Sequence, residues 1–163
     1  GSADYIYFAS EFNQIINLPR DFVFVIETEG QISNANLLPS ETLILGGVSS
    51  VRGFEQNITR ADRGIRASAE LYSPAMQPLN KLGFDLPEEN SRIFGFYDYA
   101  WAGNVDLLPG ESDHLNLGGV GIGIEYRLAR HLSMQIAHGW QAAQSGFEDE
   151  QNARWHVSAT ARW

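Results

Sequence analysis

Apolar and polar side chains alternate with a period of two through most of the chain, and no helical spacing lasts beyond two turns. That pattern predicts an all-β protein. The first strand, Tyr5 to Ile16, sets Ile6, Phe8 and Phe12 against Tyr7, Glu11 and Asn13. A turn at 17–21 containing Pro19 leads into Phe22 to Gly30, with Phe22, Phe24 and Ile26 on one side and Val23, Val25, Glu27 and Glu29 on the other. After a long gap, Ile65, Ala67, Ala69 and Leu71 alternate with Arg66, Ser68, Glu70 and Tyr72. Ile93 to Ala102 sets Gly95, Tyr97, Tyr99 and Trp101 against Phe94, Phe96, Asp98 and Ala100. Leu117 to Leu128 opposes Val120, Ile122, Ile124 and Tyr126 to Gly119, Gly121, Gly123 and Glu125. A short turn at 129–131 precedes Leu132 to Gln141. The last strand, Arg154 to Trp163, alternates Trp155, Val157, Ala159, Ala161 and Trp163 with His156, Ser158, Thr160 and Arg162.

Two architectures share this alternation: a soluble barrel or sandwich with its apolar face inward, and a membrane barrel with that face toward lipid. Three features favour the membrane barrel. The strands run to about ten residues, the length a tilted strand needs to cross a bilayer, where soluble strands usually have about five or six. Tyr and Trp gather near strand ends, at Tyr5, Tyr72, Tyr99, Trp101, Tyr126, Trp140, Trp155 and Trp163, as interfacial rings do. Connections alternate between short (17–21, 129–131) and long (30–63, 103–116, 142–153), as periplasmic turns and external loops do. The connection at 73–92 is the exception, long where the parity expects a short turn. Counted by parity, the chain end returns to the periplasm. The terminal Trp163, with Trp155 and Val157 among the alternating apolar positions before it, resembles the C-terminal signal by which outer-membrane proteins reach the barrel-assembly machinery.

Composition narrows the function. The 163 residues are 44% hydrophobic, enough for one folded domain, yet the longest unbroken apolar run is five residues, against about 20 for a membrane helix. A formal net charge of −9 repels phosphate backbones and argues against nucleic acid. The absence of cysteine removes disulfides, thiolate zinc sites and cysteine nucleophiles, and suits passage through an oxidising periplasm. His114, His131, His138 and His156 have no paired-ligand spacing, and no serine sits in G-x-S-x-G. Glu148, Asp149 and Glu150 read as a solvated loop face. The expectation is therefore no enzyme, no metal and no cofactor. Some small outer-membrane barrels are lipases or acyl transferases, but no nucleophile or His-Ser pair at a strand rim is evident here.

The most specific segment lies in the long loop, 31–63, and runs on into the next strand: LILGGVSSVRGFEQNITRADRGIRASAEL, Leu43 to Leu71. It carries Gly46-Gly47, then Val51-Arg52-Gly53-Phe54 after Ser50, then Asp62 and Gly64 opening a strand that ends Ser68-Ala69-Glu70-Leu71. In order, these pieces closely resemble the signature of the two-partner secretion transporters (TpsB, the haemolysin-activator and filamentous-haemagglutinin transporter family), of the superfamily that also holds the bacterial barrel-assembly proteins. Leu38-Pro39-Ser40-Glu41 is also similar to that family; Ala61 departs from it, standing where a glycine is usual. The resemblance implies a loop folded back into the barrel lumen with Val-Arg-Gly-Phe at its tip. It also implies that Arg52 pairs with the Asp of an aromatic-or-Gly, any, Asp motif on an inward face. Phe96-Tyr97-Asp98 fits, and alternation independently puts Phe96 and Asp98 on the polar side. A buried guanidinium needs such a partner, and Phe54 offers an apolar anchor. Gly119, Gly121 and Gly123, continued by Ala137 and Gly139, form a bare stripe on that face, either a bed for a close-approaching backbone or a place where the sheet bends.

Strand number is the difficulty. Seven strands are predicted, whereas the resembled transporters have sixteen and N-terminal periplasmic POTRA domains, of which this sequence has no sign. The expectation is a single barrel domain or half-barrel over 1–163, with about seven or eight strands and a long lumen-inserted loop. It is a fragment of a transporter, a short member that closes alone, or a half-barrel completed by a second copy. The last two would need a further strand, sought in Asn34 to Leu45. The partners implied are outer-membrane lipids, the barrel-assembly machinery, a secreted exoprotein and a second copy of the chain. Translocation gated by the Arg52 loop is the first functional reading. A structural or adhesive barrel without transport is the alternative.

Overall fold

A computed structural model describes residues 5–105, 114–145 and 151–162. Nine strands follow in chain order: β1 (Tyr7–Asn17), β2 (Val23–Ser33), β3 (Leu43–Leu45), β4 (Thr59–Ala61), β5 (Arg63–Tyr72), β6 (Glu89–Gly103), β7 (His114–Leu128), β8 (Leu132–Ser145) and β9 (Ala153–Ala161). Seven of them form one antiparallel sheet in the order β1-β2-β5-β6-β7-β8-β9, an up-and-down meander interrupted only by the excursion between β2 and β5. The register is continuous from Tyr7↔Ser33 and Gln31↔Gly64 to Asp98↔Gly119 and His138↔Trp155. One irregularity, at Gly118/Gly119, slips β7 against β8. Among the described residues, neither β1 nor β9 has a second neighbour, so the sheet is open.

The two faces invert the arrangement of a soluble sandwich. On β6 the side chains of Phe94, Phe96, Asp98, Ala100 and Ala102 are buried, while Ile93, Tyr97 and Tyr99 on the opposite face are exposed. The exposed apolar side continues through Phe8, Ile32, Ile65, Val120, Ile122, Ile124, Ile136, Trp155 and Val157. So broad an exposed apolar surface, opposite a face with buried charges, has the inside-out pattern of a membrane β-barrel wall and not that of a soluble sandwich. No helix among the described residues is long and apolar enough to cross a membrane.

The predicted faces hold, but the strand limits do not. β6, β7 and β8 are 15, 15 and 14 residues long, because ladder pairing continues past the residues whose alternation is clean. A strand does occur in Asn34 to Leu45, but it is not an eighth wall strand. β3 pairs only with β4, Leu43↔Ala61 to Leu45↔Thr59, making a small ribbon inside the excursion. The connection at 73–92 is shortened by the early start of β6 and holds a four-residue helix, α1 (Pro78–Lys81). Its Leu79 and Asn80 amides donate to the buried Glu89 carboxylate, at 2.9 Å each.

The main apolar cluster lies between the excursion and the polar face. Leu43, Leu45, Val51, Phe54 and Ala61 of the excursion pack on Ala100 and Ala102 of β6 and Leu115 and Leu117 of β7, with Ile58 at the margin. Burial of these side chains draws the loop back onto the sheet, each large one contributing about 1.5–3 kcal/mol. A second cluster, Phe94, Phe96 and Ala137 with Tyr72 against it, continues the same face.

Candidate functional site

The excursion doubles back on a tight turn at Gly46 and Gly47, where both φ angles are positive (96° and 90°) and a side chain would be strained. Gly47 N–H donates to Val51 O and Ser50 N–H to Gly47 O, each at 3.1 Å. This turn delivers Val51, Arg52, Gly53 and Phe54, all buried, to the polar face of the sheet.

Arg52 bridges two strands, β6 and β5. Its Nε donates to Asp98 Oδ2 and its Nη2 to Asp98 Oδ1, both at 2.7 Å, a two-pronged contact with a carboxylate on β6. The backbone N–H of Arg52 adds a third bond to Asp98, at 3.0 Å. On β5, Nη1 donates to Glu70 Oε1 at 2.5 Å and Nη2 to Ser68 Oγ at 3.1 Å. Ser68 in turn donates to Asp98 Oδ1 at 2.7 Å, and the Tyr72 hydroxyl donates to Glu70 Oε2 at 2.6 Å. The guanidinium carbon is 3.6 Å from the centroid of the Phe96 ring, within cation–π range. Burial by itself would push the Arg52 guanidinium down. The carboxylates of Asp98 and then Glu70 outweigh it and leave the pKa above its ordinary value, so Arg52 is charged.

The loop backbone needs bare surface as well. A Cβ on Gly119 would fall 2.1 Å from Arg52 O, and one on Gly139 would fall 2.6 Å from Gly53 N. The glycine stripe is therefore divided. Gly119 and Gly139 admit the loop backbone, while Gly121 and Gly123 admit the rings of Phe96 and Phe94, which a Cβ would meet at 2.3 Å. Gly53 itself has φ 100° and passes close to Trp140, where a Cβ would be 2.9 Å from the carbonyl carbon. Gly64 admits another backbone, since its Cβ would meet Trp101 O at 2.5 Å. Asp62 bonds two separate segments, accepting from Leu37 N–H at 2.8 Å and Val105 N–H at 3.2 Å.

The pattern of the sequence missed several participants. Alternation puts Ser68 and Glu70 on the polar face but does not link them to Arg52; their position four and two residues before Tyr72, on the strand paired with β6, is the available signal. His156 on β9 accepts a hydrogen bond from Gly53 N–H at 3.1 Å, and Gln141 on β8 donates to Gly53 O at 3.2 Å. Nothing local marks either residue. Trp155 and Val157 lie on the exposed apolar face of β9. Trp163 and Glu148 to Glu150 lie outside the described residues. Among the described residues no group of His, Asp or Glu is placed to hold a metal ion.

The family described as haemolysin secretion/activation protein ShlB/FhaC/HecB matches the chain over residues 4–126, a span that includes the whole excursion and Asp98. The chain is also similar to the heme/hemopexin transporter protein HuxB of Haemophilus influenzae (strain 86-028NP), 26% identical over 125 residues. That alignment covers 74% of this chain and 20% of the relative, so the chain spans about a fifth of that protein's length. No solved structure matches the chain.

Proposed function

The chain belongs to the haemolysin secretion/activation protein family ShlB/FhaC/HecB, and from that premise we propose that it is barrel wall and gate of an outer-membrane two-partner secretion transporter. In this reading the sheet is part of the wall of a translocation pore. The Arg52 loop is a plug element tied to the lumen face through Asp98, and a secreted exoprotein is the cargo. The chain is a passage and not an enzyme, needs no cofactor, and reaches the outer membrane through the barrel-assembly machinery. The observation that carries the reading is the burial of the Arg52 guanidinium against Asp98 and Glu70. A loop that served only as an external surface has no need to pair a charge at that depth, where desolvation is costly.

The test is single-channel conductance of the full chain in planar lipid bilayers. Arg52→Ala and Asp98→Ala should each raise the open fraction or conductance over a closed or flickering wild type. Conductance unchanged by both would overturn the reading. The mass of the detergent-solubilised species, measured in parallel, shows whether a second copy pairs on the edges at β1 and β9.

A further inference from the structure

The loop tip is held at two places of different chemistry. One is the ionic contact of Arg52 with β5 and β6. The other, on β8 and β9, carries no formal charge: Gly53 N–H donates to His156 Nε2 and Gly53 O accepts from Gln141 Nε2. Gln141 also donates to Gln151 O at 2.7 Å, and its own N–H to Asn152 O at 2.9 Å, so the segment before β9 fixes its side chain. Both His156 and Gln141 lie beyond residue 126, outside the stretch that the family match covers. Gly53 has no side chain to offer, and its neighbourhood with Gly139 and Trp140 leaves room only for backbone. Among the described residues, the N–H and C=O of Gly53 are thus the polar handle by which β8 and β9 hold the tip.

We infer that His156 and Gln141 are positioning residues forming a second latch on the loop, separate from the Arg52 contact. The inference rests on the gate reading above. An amide N–H can donate to Nε2 only where that nitrogen offers its lone pair, so the imidazole serves the latch as an acceptor. Gln141 serves it as a donor through Nε2. A side chain that replaces His156 therefore keeps the latch only if it carries an acceptor, and one that replaces Gln141 only if it carries a donor.

The chain has no cysteine, so a spin label on Glu55→Cys, an exposed position beside the tip, reports the loop independently of conductance. Label mobility and channel opening are measured in the full chain. His156→Ala and Gln141→Ala should each raise the released fraction roughly threefold to tenfold, the shift that loss of one hydrogen bond produces. His156→Gln keeps an acceptor and should leave the loop docked, a rescue that a merely space-filling role would not give. Native label mobility in both alanine variants, or a His156→Gln variant as mobile as His156→Ala, overturns the latch. If Asp98→Ala opens the channel while His156→Ala leaves the label unchanged, the latch alone fails. If Asp98→Ala leaves both loop and conductance unchanged, the gate reading fails with it.

Discussion

Removing Arg52 should weaken the folded chain more than removing Asp98, although the two residues share one contact. Asp98 is fully buried, and Arg52→Ala leaves its carboxylate with only Ser68 Oγ and the amide of position 52 as donors. Breaking a buried pair so that one charge stays behind costs about 3–5 kcal/mol. Asp98→Ala strands the guanidinium less completely, because Glu70 at 2.5 Å and the Phe96 ring remain. Its cost is the lost charged hydrogen bonds, about 2–3 kcal/mol. The double variant removes both charges, so its loss should fall short of the sum by about 1–3 kcal/mol. Urea titration of the chain folded into lipid vesicles, followed by tryptophan fluorescence, measures all three. Losses that add to within about 0.5 kcal/mol would refute the coupling and with it the picture of a loop held by this pair.

Other substitutions separate the loop's supports. Gly119→Ala places a methyl against Arg52 O and Gly139→Ala one against Gly53 N, so each should release the spin-labelled tip; Gly95→Ala, whose Cβ would meet only Gly121 O at 3.8 Å, should not. Phe54→Ala empties a fully buried site in the cluster under the loop and should cost about 3–5 kcal/mol in the same urea titration. Val157→Arg, on the exposed apolar face of β9, should cost about 2–4 kcal/mol if that position lies near the bilayer midplane and about 0–1 near its surface. The corresponding unfolding in detergent micelles should show a smaller difference, and equal costs in both would argue against a lipid-facing side chain.

Strand existence and facing were legible from residue types alone, because side-chain direction in a strand has a period of two and needs no distant information. Phe96 and Asp98 could be assigned to one face, and Tyr97 to the other, before any pairing was known. The Val-Arg-Gly-Phe segment was legible by resemblance, and a buried arginine demands a carboxylate on elementary grounds. Strand ends were less legible. Ladder hydrogen bonds carry β8 on to Ser145, past the irregularity opposite Gly118/Gly119, where local alternation no longer marks the strand.

What only the tertiary structure decided is which residues meet at the loop tip. Arg52 finds Glu70 18 residues away, Asp98 46 away, and Gly53 finds His156 103 away. Those meetings follow from the registers of five strands, β5 to β9, taken together, each of which could slip by two residues without changing a single side chain's face. The same holds for the glycines. The sequence marked a bare stripe, but whether a backbone or an aromatic ring filled it depended on where the loop came to rest. It came to rest where Leu43, Leu45, Val51 and Phe54 are buried against Ala100, Ala102, Leu115 and Leu117, apolar residues on the same face as Asp98.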